Sequence, residues 1–353
     1  MVTRRSSATP QARNVVVADN DGYSFAVDDL VPQQYRGTDR YLDVIQWNLE
    51  WFGASKSTEW DKTRWNLVVG ILEKLNADLF VFQEVAGPTE TRSGVIDAVA
   101  AELTARGAGE YVVDYTRAGG EQRVAMMWDR QWLRAKSEVA ELFKRGEHKL
   151  GDGSDAFAGR TPLYGWFTGK LPTGPSSRAG GSFDFQMLGV HLKAMADGAA
   201  QREESAKVLA KWMRKDAPKV DADVLIMGDF NAPPGDACWA PFHKLEDEGR
   251  AGFRKINDPS DFSYLWLDNK KDRYLSRIDL TVASTSSQTR VAGTLAKTVR
   301  WKPIEEVIAA TQGKLTDRQV TALLKQIKDA ISDHLPVFSR FYFTKPARPA
   351  RPQ

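Results

Sequence analysis

The sequence predicts an α/β fold. Short apolar runs of strand character alternate with segments of helical spacing, and those runs close repeatedly on Asn, Asp, Glu or His. Such alternation sets helices against the faces of sheets. By itself it does not separate a doubly wound sheet from a layered sandwich.

The elements follow in chain order. Residues 1–38 mix Ser, Gln, Arg and Asp with little periodicity and are expected to form a flexible arm. A domain is expected over residues 39–344. Leu42–Trp47 reads as its first strand. Trp65, Val68, Val69, Leu72 and Leu75 then fall on one helix face. Strands follow at Leu79–Phe82 and Val124–Trp128. Gly151–Arg160 and Thr173–Gly181, rich in Gly, Ser and Asp, read as surface loops around a strand at Phe185–Val190. Val208, Leu209, Trp212 and Met213 repeat the helical spacing before strands at Val224–Met227 and Ile278–Val282.

Residues 291–331 read as an insertion with its own helix. Thr316 and Gln319 make a capping box, and Val320, Leu323, Leu324 and Ile327 supply an apolar face. Lys297, Arg300, Lys302, Lys314, Arg318, Lys325 and Lys328 outnumber the acids there, which favours a solvated helix face over a phosphate-binding surface. A last strand covers Pro336–Phe343, and residues 345–353 form a basic, proline-rich tail.

Composition bounds the function. At 42% hydrophobic and 27% charged the chain is ordinary for a soluble globular protein. No run reaches the roughly 18 apolar residues of a membrane span. The basic Met1-Val2-Thr3-Arg4-Arg5 start has no apolar segment after it, so no signal peptide is readable and a cytoplasmic, monomeric protein is expected, with secretion left open. Cys238, the single cysteine, has no intramolecular partner and reads as a packing residue. A formal net charge of +3 permits a polyanionic substrate without requiring one.

Six segments place polar side chains at strand ends. They are Gln46-Trp47-Asn48-Leu49-Glu50, Phe80-Val81-Phe82-Gln83-Glu84, Val190-His191-Leu192-Lys193, Met227-Gly228-Asp229-Phe230-Asn231, Ser276-Arg277-Ile278-Asp279 and Ser332-Asp333-His334. One acid after an apolar run is usually a strand leaving the core. The repetition is what points to a single site, and oxygen ligands with an imidazole suit a hard divalent cation and hydrolysis of a phosphate ester.

In order and identity these motifs resemble the endonuclease/exonuclease/phosphatase superfamily, from Tyr41 to Phe343. The resemblance implies a deoxyribonuclease I-like four-layer α/β sandwich, with two central mixed sheets flanked by helices. It implies Mg²⁺, or Mn²⁺ or Ca²⁺, held by Glu84 with Asn48 and Glu50 beside it and Asp333 as a metal-site or base carboxylate. It makes Asp229 and Asn231 the pair that orients water and holds the scissile phosphate, with His334 stabilising charge and Asp279 fixing its tautomer. His191 matches a histidine near the leaving group. Its usual glutamate partner is replaced here by Gln122, which can orient an imidazole but cannot stabilise its charge as a carboxylate does. His148 and His243 have no partner pattern and read as structural or exposed.

Arg123, Arg160 and Lys193 are candidate phosphate contacts, and Tyr264 and Trp266 candidate aromatic contacts to a sugar or base. The function expected is a Mg²⁺-dependent phosphodiester hydrolase, foremost a DNA endonuclease with nucleic acid as its partner. The alternatives are a phosphatase or phosphodiesterase on a phosphoinositide or sphingomyelin-type substrate, and a catalytically silent binding module.

Overall fold

The computed structural model describes residues 25–54, 58–170, 181–267, 273–313 and 318–344. Most of the N-terminal arm, Thr173–Gly180, Lys314, Thr316 and the tail from Lys345 lie outside the described residues.

The strands are β1 (Tyr41–Phe52), β2 (Leu79–Val85), β3 (Tyr111–Tyr115), β4 (Arg123–Asp129), β5 (Leu133–Ala135), β6 (Ala140–Glu141), β7 (Leu163–Lys170) and β8 (Ser182–His191). They continue as β9 (Val224–Asp229), β10 (Ala251–Gly252), β11 (Tyr264–Leu267), β12 (Arg273–Ser276), β13 (Asp279–Ser284), β14 (Lys297–Thr298) and β15 (Val337–Tyr342). The helices are α1 (Val27–Leu30), α2 (Thr58–Leu75), α3 (Val95–Ala105), α4 (Ala199–Lys215), α5 (Ala217–Val220), α6 (Ala240–Asp247), α7 (Thr285–Gln288), α8 (Lys302–Ala310) and α9 (Arg318–Ala330).

One mixed sheet runs β14-β15-β1-β2-β4-β3, and a second runs β10-β13-β9-β8-β7-β5 with β6 beside β7. Each has one parallel pair, β1 with β2 and β8 with β9, inside antiparallel neighbours. Side chains alternate between the faces of a strand, and here both faces are apolar. Leu42 and Val44, Val81, Met126, Phe185, Met187, Leu225 and Met227 fill the layer between the sheets. The opposite parity of the first sheet, Ile45, Trp47, Phe80, Phe82 and Met127, packs under the helical layer that includes α2, α3 and α9. Leu188, Val190, Ile226, Leu280 and Val282 do the same under α4 and α6. The result is the predicted four-layer sandwich.

Segment 291–331 differs from the expectation in carrying two helices. Val320, Leu323, Leu324 and Ile327 of α9 are fully buried with Trp301 and Ile304 in the outer core of the first sheet. Its basic residues are largely engaged: Lys297 by Asp258, Arg300 by Asp261 and Glu305, and Lys302 by Asp29 and Glu306.

Two glycines set how closely strands approach. A Cβ on Gly189 would meet Val81 Cγ1 at 2.8 Å, where the sheets face each other. Gly228 has φ +151°, and a Cβ there would lie 1.9 Å from the Val190 carbonyl oxygen. Gly228→Ala is therefore expected to destabilise the fold by on the order of 2–4 kcal/mol, since backbone must shift and a strained conformation is forced. A thermal midpoint equal to wild type would refute this.

Candidate active site

Strand parity delivers the site. The inward positions of β1 read Leu42, Val44, Gln46, Asn48, and those of β9 read Leu225, Met227, Asp229. The inward rows of β8 and β13 end likewise, on His191 and Asp279. At one end of the sandwich the apolar interlayer is therefore succeeded by polar groups on the same inward rows. His191 pairs in register with Asp229, and Asp229 with Asp279, so three site residues lie side by side across β8, β9 and β13.

The remaining groups come from breaks in regularity. Glu84 sits at a register shift between β2 and β4, with φ +55°. Glu50, Trp51 and Asn231 also have left-handed backbone, at φ +40°, +58° and +57°. Non-glycine residues pay strain for that conformation, which persists where the surrounding structure fixes it. The loop carrying Asp333 and His334 is clamped from several sides. Leu265 N–H donates to the Asp333 carbonyl (2.7 Å), Leu335 N–H to the Ser263 carbonyl (2.7 Å), and Trp47 Nε1 to the His334 carbonyl (2.9 Å).

Asp229 is the hub. Its Oδ2 accepts from Asn48 Nδ2 (2.9 Å) and lies 3.7 Å from His191 Nε2 and 3.8 Å from His334 Nε2. Its Oδ1 accepts from the Asn231 backbone N–H (2.8 Å). Glu84 Oε1 accepts from Asn48 Nδ2 (3.3 Å) and is 3.5 Å from His191 Nε2, while Glu84 Oε2 accepts from Gln122 Nε2 (3.0 Å). Across the hub, His334 Nδ1 meets Asp279 Oδ2 at 2.8 Å, and the Tyr264 ring lies 4.7 Å from the imidazole.

Burial pushes the Asp229 carboxyl up to about 7, with Asp279 and Glu84 adding to the rise against the pull of His334. Glu50 is also raised to about 7, by burial and then by Asp333. Burial disfavours the charged form of His334, but Asp279, Asp333 and Asp229 outweigh it and hold the imidazole well above its ordinary range. His191 goes the other way, lowered by burial and by the Arg160 and His334 charges. The two histidines are thus pushed in opposite directions, His334 toward the cation and His191 toward the neutral ring.

One ligand atom from each of Glu84, His191 and Asp229 lies within 4.8 Å of the others, a spacing able to hold a metal ion. A buried carboxylate, Asp229, and a half-buried one, Glu84, suit a divalent cation, and the donor set of oxygens and one imidazole admits Mg²⁺ or Mn²⁺.

The remaining predicted residues differ in placement. Asn48 Oδ1 accepts from the Glu50 N–H (2.9 Å), so in this arrangement Asn48 turns its amide nitrogen to the carboxylates and ties Glu84 to Asp229. Glu50 and Asp333 form a separate acid pair beside this group: Asp333 N–H donates to Glu50 Oε2 (3.3 Å), and Lys328 Nζ lies 3.8 Å from Asp333. Asn231 Nδ2 donates to the Leu192 carbonyl (3.0 Å). Arg160 enters the site, on His191. Arg123 does not, because its guanidinium caps the Gly120 and Thr116 carbonyls of the preceding turn (3.1 and 3.3 Å). The Lys193 stem lies against Gly198, and among the described residues its ammonium makes no ion pair. Trp266 belongs to β11, with its side chain outside the described ones. His148 packs its ring against Phe143, and His243 Nε2 meets the Pro234 carbonyl, so both are structural. Cys238 is buried, its thiol pushed up to about 12, as befits packing.

Sequence reasoning missed the supports. Ser332 Oγ donates to the Asn48 carbonyl (2.9 Å) and accepts from the His334 N–H (3.1 Å). Arg64, wholly buried, donates to the Ile331 carbonyl (2.6 Å) and to the Leu49 carbonyl, tying the ends of two site segments together. Its position in a helical apolar stripe, next to Trp65, was the available signal.

No protein-family model and no curated protein matches this sequence. Solved structures do match the fold. An endonuclease/exonuclease/phosphatase family protein from Bacteroides thetaiotaomicron superposes with a TM-score of 0.52 at 16% identity, covering 88% of this chain and 98% of its own. The D. rerio TDP2 complexed with single strand DNA product gives 0.51 at 12%, covering 85% and 98%. A mannosyl-6-phosphatase from B. thetaiotaomicron gives 0.51 at 17%, covering 84% and 98%. Two mixed sheets between helical layers, with polar groups gathered at one end of the sheets, give this chain the deoxyribonuclease I-like fold that these structures share.

Proposed function

We propose that the protein is a divalent-cation-dependent phosphodiester hydrolase acting on nucleic acid, DNA foremost. The observation that carries the reading is the face-off around Asp229. Glu84, a potential metal ligand, lies on one side, and His334, bound to Asp279 and pushed toward its cationic form, lies on the other. A phosphate seated between them meets positive charge from both directions as negative charge builds on its oxygens.

The cation, when bound at Glu84 and Asp229, supplies Lewis-acid polarisation of a phosphoryl oxygen. The protein's own groups supply the rest. Asp229 accepts a proton from the attacking water. The water oxygen forms the new P–O bond in line with the bond that breaks, whose electron pair leaves on the ester oxygen. His334 Nε2–H donates to a non-bridging oxygen, and Asp279 keeps that imidazole protonated and aimed. Asn231 fixes Asp229 through its backbone N–H.

The neighbour with bound single-stranded DNA product supports the nucleic-acid reading. The mannosyl-6-phosphatase neighbour supports a second, hydrolysis of a small phosphate ester. The retained ligands and His334 argue against a silent binding module. No described helix is long and apolar enough to cross a membrane.

The deciding experiment incubates supercoiled plasmid, sphingomyelin vesicles, an inositol polyphosphate and a sugar phosphate with the protein, with and without Mg²⁺, beside Glu84→Gln. Metal-dependent nicking that falls by about two to three orders of magnitude in Glu84→Gln supports the reading. Turnover confined to vesicles, inositol phosphate or sugar phosphate would reassign the substrate. Inertness on all four from a folded protein would refute the enzyme.

A further inference from the structure

His191 has a contact that its expected role near a leaving group does not accommodate. Arg160 Nη1 lies 2.8 Å from His191 Nε2. A guanidinium is always protonated and only donates. Nε2 must therefore be the acceptor, and the ring proton sits on Nδ1. That Nδ1 is buried and has no hydrogen-bond partner among the described residues, a cost that something else must justify. Nε2 is also the nitrogen that faces Glu84 and Asp229, at 3.5 and 3.7 Å. In this arrangement the face of His191 toward the reacting group has no proton to give.

The other partners of Arg160 are of the same kind. Nη2 donates to Gln122 Oε1 (2.7 Å) and Nη1 to the Leu192 carbonyl (3.4 Å). All three acceptors are neutral. Glu84 and Asp229 approach the same Nε2, at 3.5 and 3.7 Å, yet Arg160 forms no ion pair with a described residue. Three of its five N–H groups are occupied. The guanidinium is thus fixed in direction with no carboxylate directly paired to it, which leaves its charge available to an incoming anion. Gln122 serves both sides, donating to Glu84 through Nε2 while accepting from Arg160 through Oε1. A glutamate there would turn a repelling carboxylate on Glu84 and form an ion pair with Arg160.

We propose that His191 and Gln122 are positioning residues, neutral acceptors that aim the Arg160 guanidinium at the substrate phosphate, and that His191 transfers no proton. The inference rests on the phosphodiester reading above. Its chemistry adds no bond-making step: the leaving oxygen takes its proton from solvent, and Arg160 binds and stabilises the anionic phosphate.

Two measurements test it. In the first, Arg160→Ala, His191→Leu and His191→Gln are assayed on DNA, whose leaving group is an alkoxide, and on bis(p-nitrophenyl) phosphate, whose leaving group needs no acid. Arg160→Ala is expected to lower kcat/KM about a hundredfold on both substrates, largely through KM. His191→Leu should lose a similar factor on both. His191→Gln, whose oxygen can accept where Nε2 does, should recover to within about tenfold of wild type. The double variant Arg160→Ala/His191→Leu should lose no more than Arg160→Ala, since both remove one interaction. A His191 loss confined to DNA and not rescued by Gln would overturn the proposal in favour of a general acid.

The second measurement needs no turnover. Nitrogen NMR of the four histidines should place the His191 proton on Nδ1 and show Nε2 changing environment in Arg160→Ala. A proton on Nε2 in the wild type would overturn the proposal. If the wild type hydrolyses neither ester, the enzymatic reading fails, while the tautomer still decides whether His191 serves Arg160.

Discussion

His334→Asn should lower turnover of a phosphodiester by about two to three orders of magnitude while leaving the thermal midpoint near wild type. The amide of asparagine reaches the place of Nδ1 and can still donate to Asp279, whereas the cationic head at Nε2 is gone. The backbone is held independently, through Ser332 Oγ and Trp47 Nε1. His334→Ala should behave differently. Asp279 is fully buried, and its Oδ2 would lose the imidazole that now lies at 2.8 Å. Removing one partner of a buried pair costs about 3–5 kcal/mol, so the alanine variant should lose stability as well as turnover. Steady-state rates together with thermal melts separate the two effects. Near-normal turnover in His334→Asn would remove His334 from the mechanism, and an unaltered midpoint in His334→Ala would show that Asp279 is held by something else.

Mg²⁺ should stabilise the protein more at about pH 8 than at about pH 5. Asp229 has an ordinary value of 3.8 and is raised to about 7 in the fold, and Glu50 moves from 4.5 to about 7. A group whose folded value is raised contributes stability in full below its unfolded value and loses it as pH rises through the folded one. His334, also raised, has the same sign. His191 is lowered and works oppositely, its contribution falling as pH drops below 6.5. The net slope therefore mixes signs, and the diagnostic is the comparison with Asp229→Asn, which removes one raised acid.

In the metal-free protein that variant should melt higher than wild type at about pH 8, by on the order of a few kcal/mol of stability at most, and little differently at low pH. A cation held by Glu84 and Asp229 favours their charged forms, so its benefit grows where those forms dominate. A melting shift with Mg²⁺ that is equal at both pH values, or unchanged by Asp229→Asn, would disconnect Asp229 from the metal.

The sequence carried the site chiefly through parity. Leu42, Val44 and Asn48 share one face of β1, and Leu225, Met227 and Asp229 share one face of β9, so an apolar row ending in a polar residue could be read directly. Other elements hid for local reasons. The inward row of β7 is Leu163, Gly165, Phe167, Gly169, where glycines erase the alternation. The buried face of α3 lies among alanines that give it no contrast.

Pairings distant in sequence were not legible at all. Nothing in Arg123 and Arg160 as residues says that the first turns back on its own loop while the second crosses to His191. Nor does Asn48 reveal which end of its amide faces the carboxylates, because that depends on the left-handed turn placing the Glu50 N–H at its oxygen.

The pairing of β15 with β1 has a consequence for how the molecule comes into being. A ribosome delivers β1 with Asn48 at the beginning of the domain and the Asp333-His334 loop with β15 near its end, while their pairing lies in the middle of a sheet. Until that strand emerges, β1 has an open edge and Asp279 has no imidazole. A chain interrupted anywhere upstream of Ser332 therefore lacks both the β1–β15 pairing and the imidazole on Asp279, and on the proposed mechanism it is expected to be inert. Completing the first sheet and completing the proposed site are thus one event.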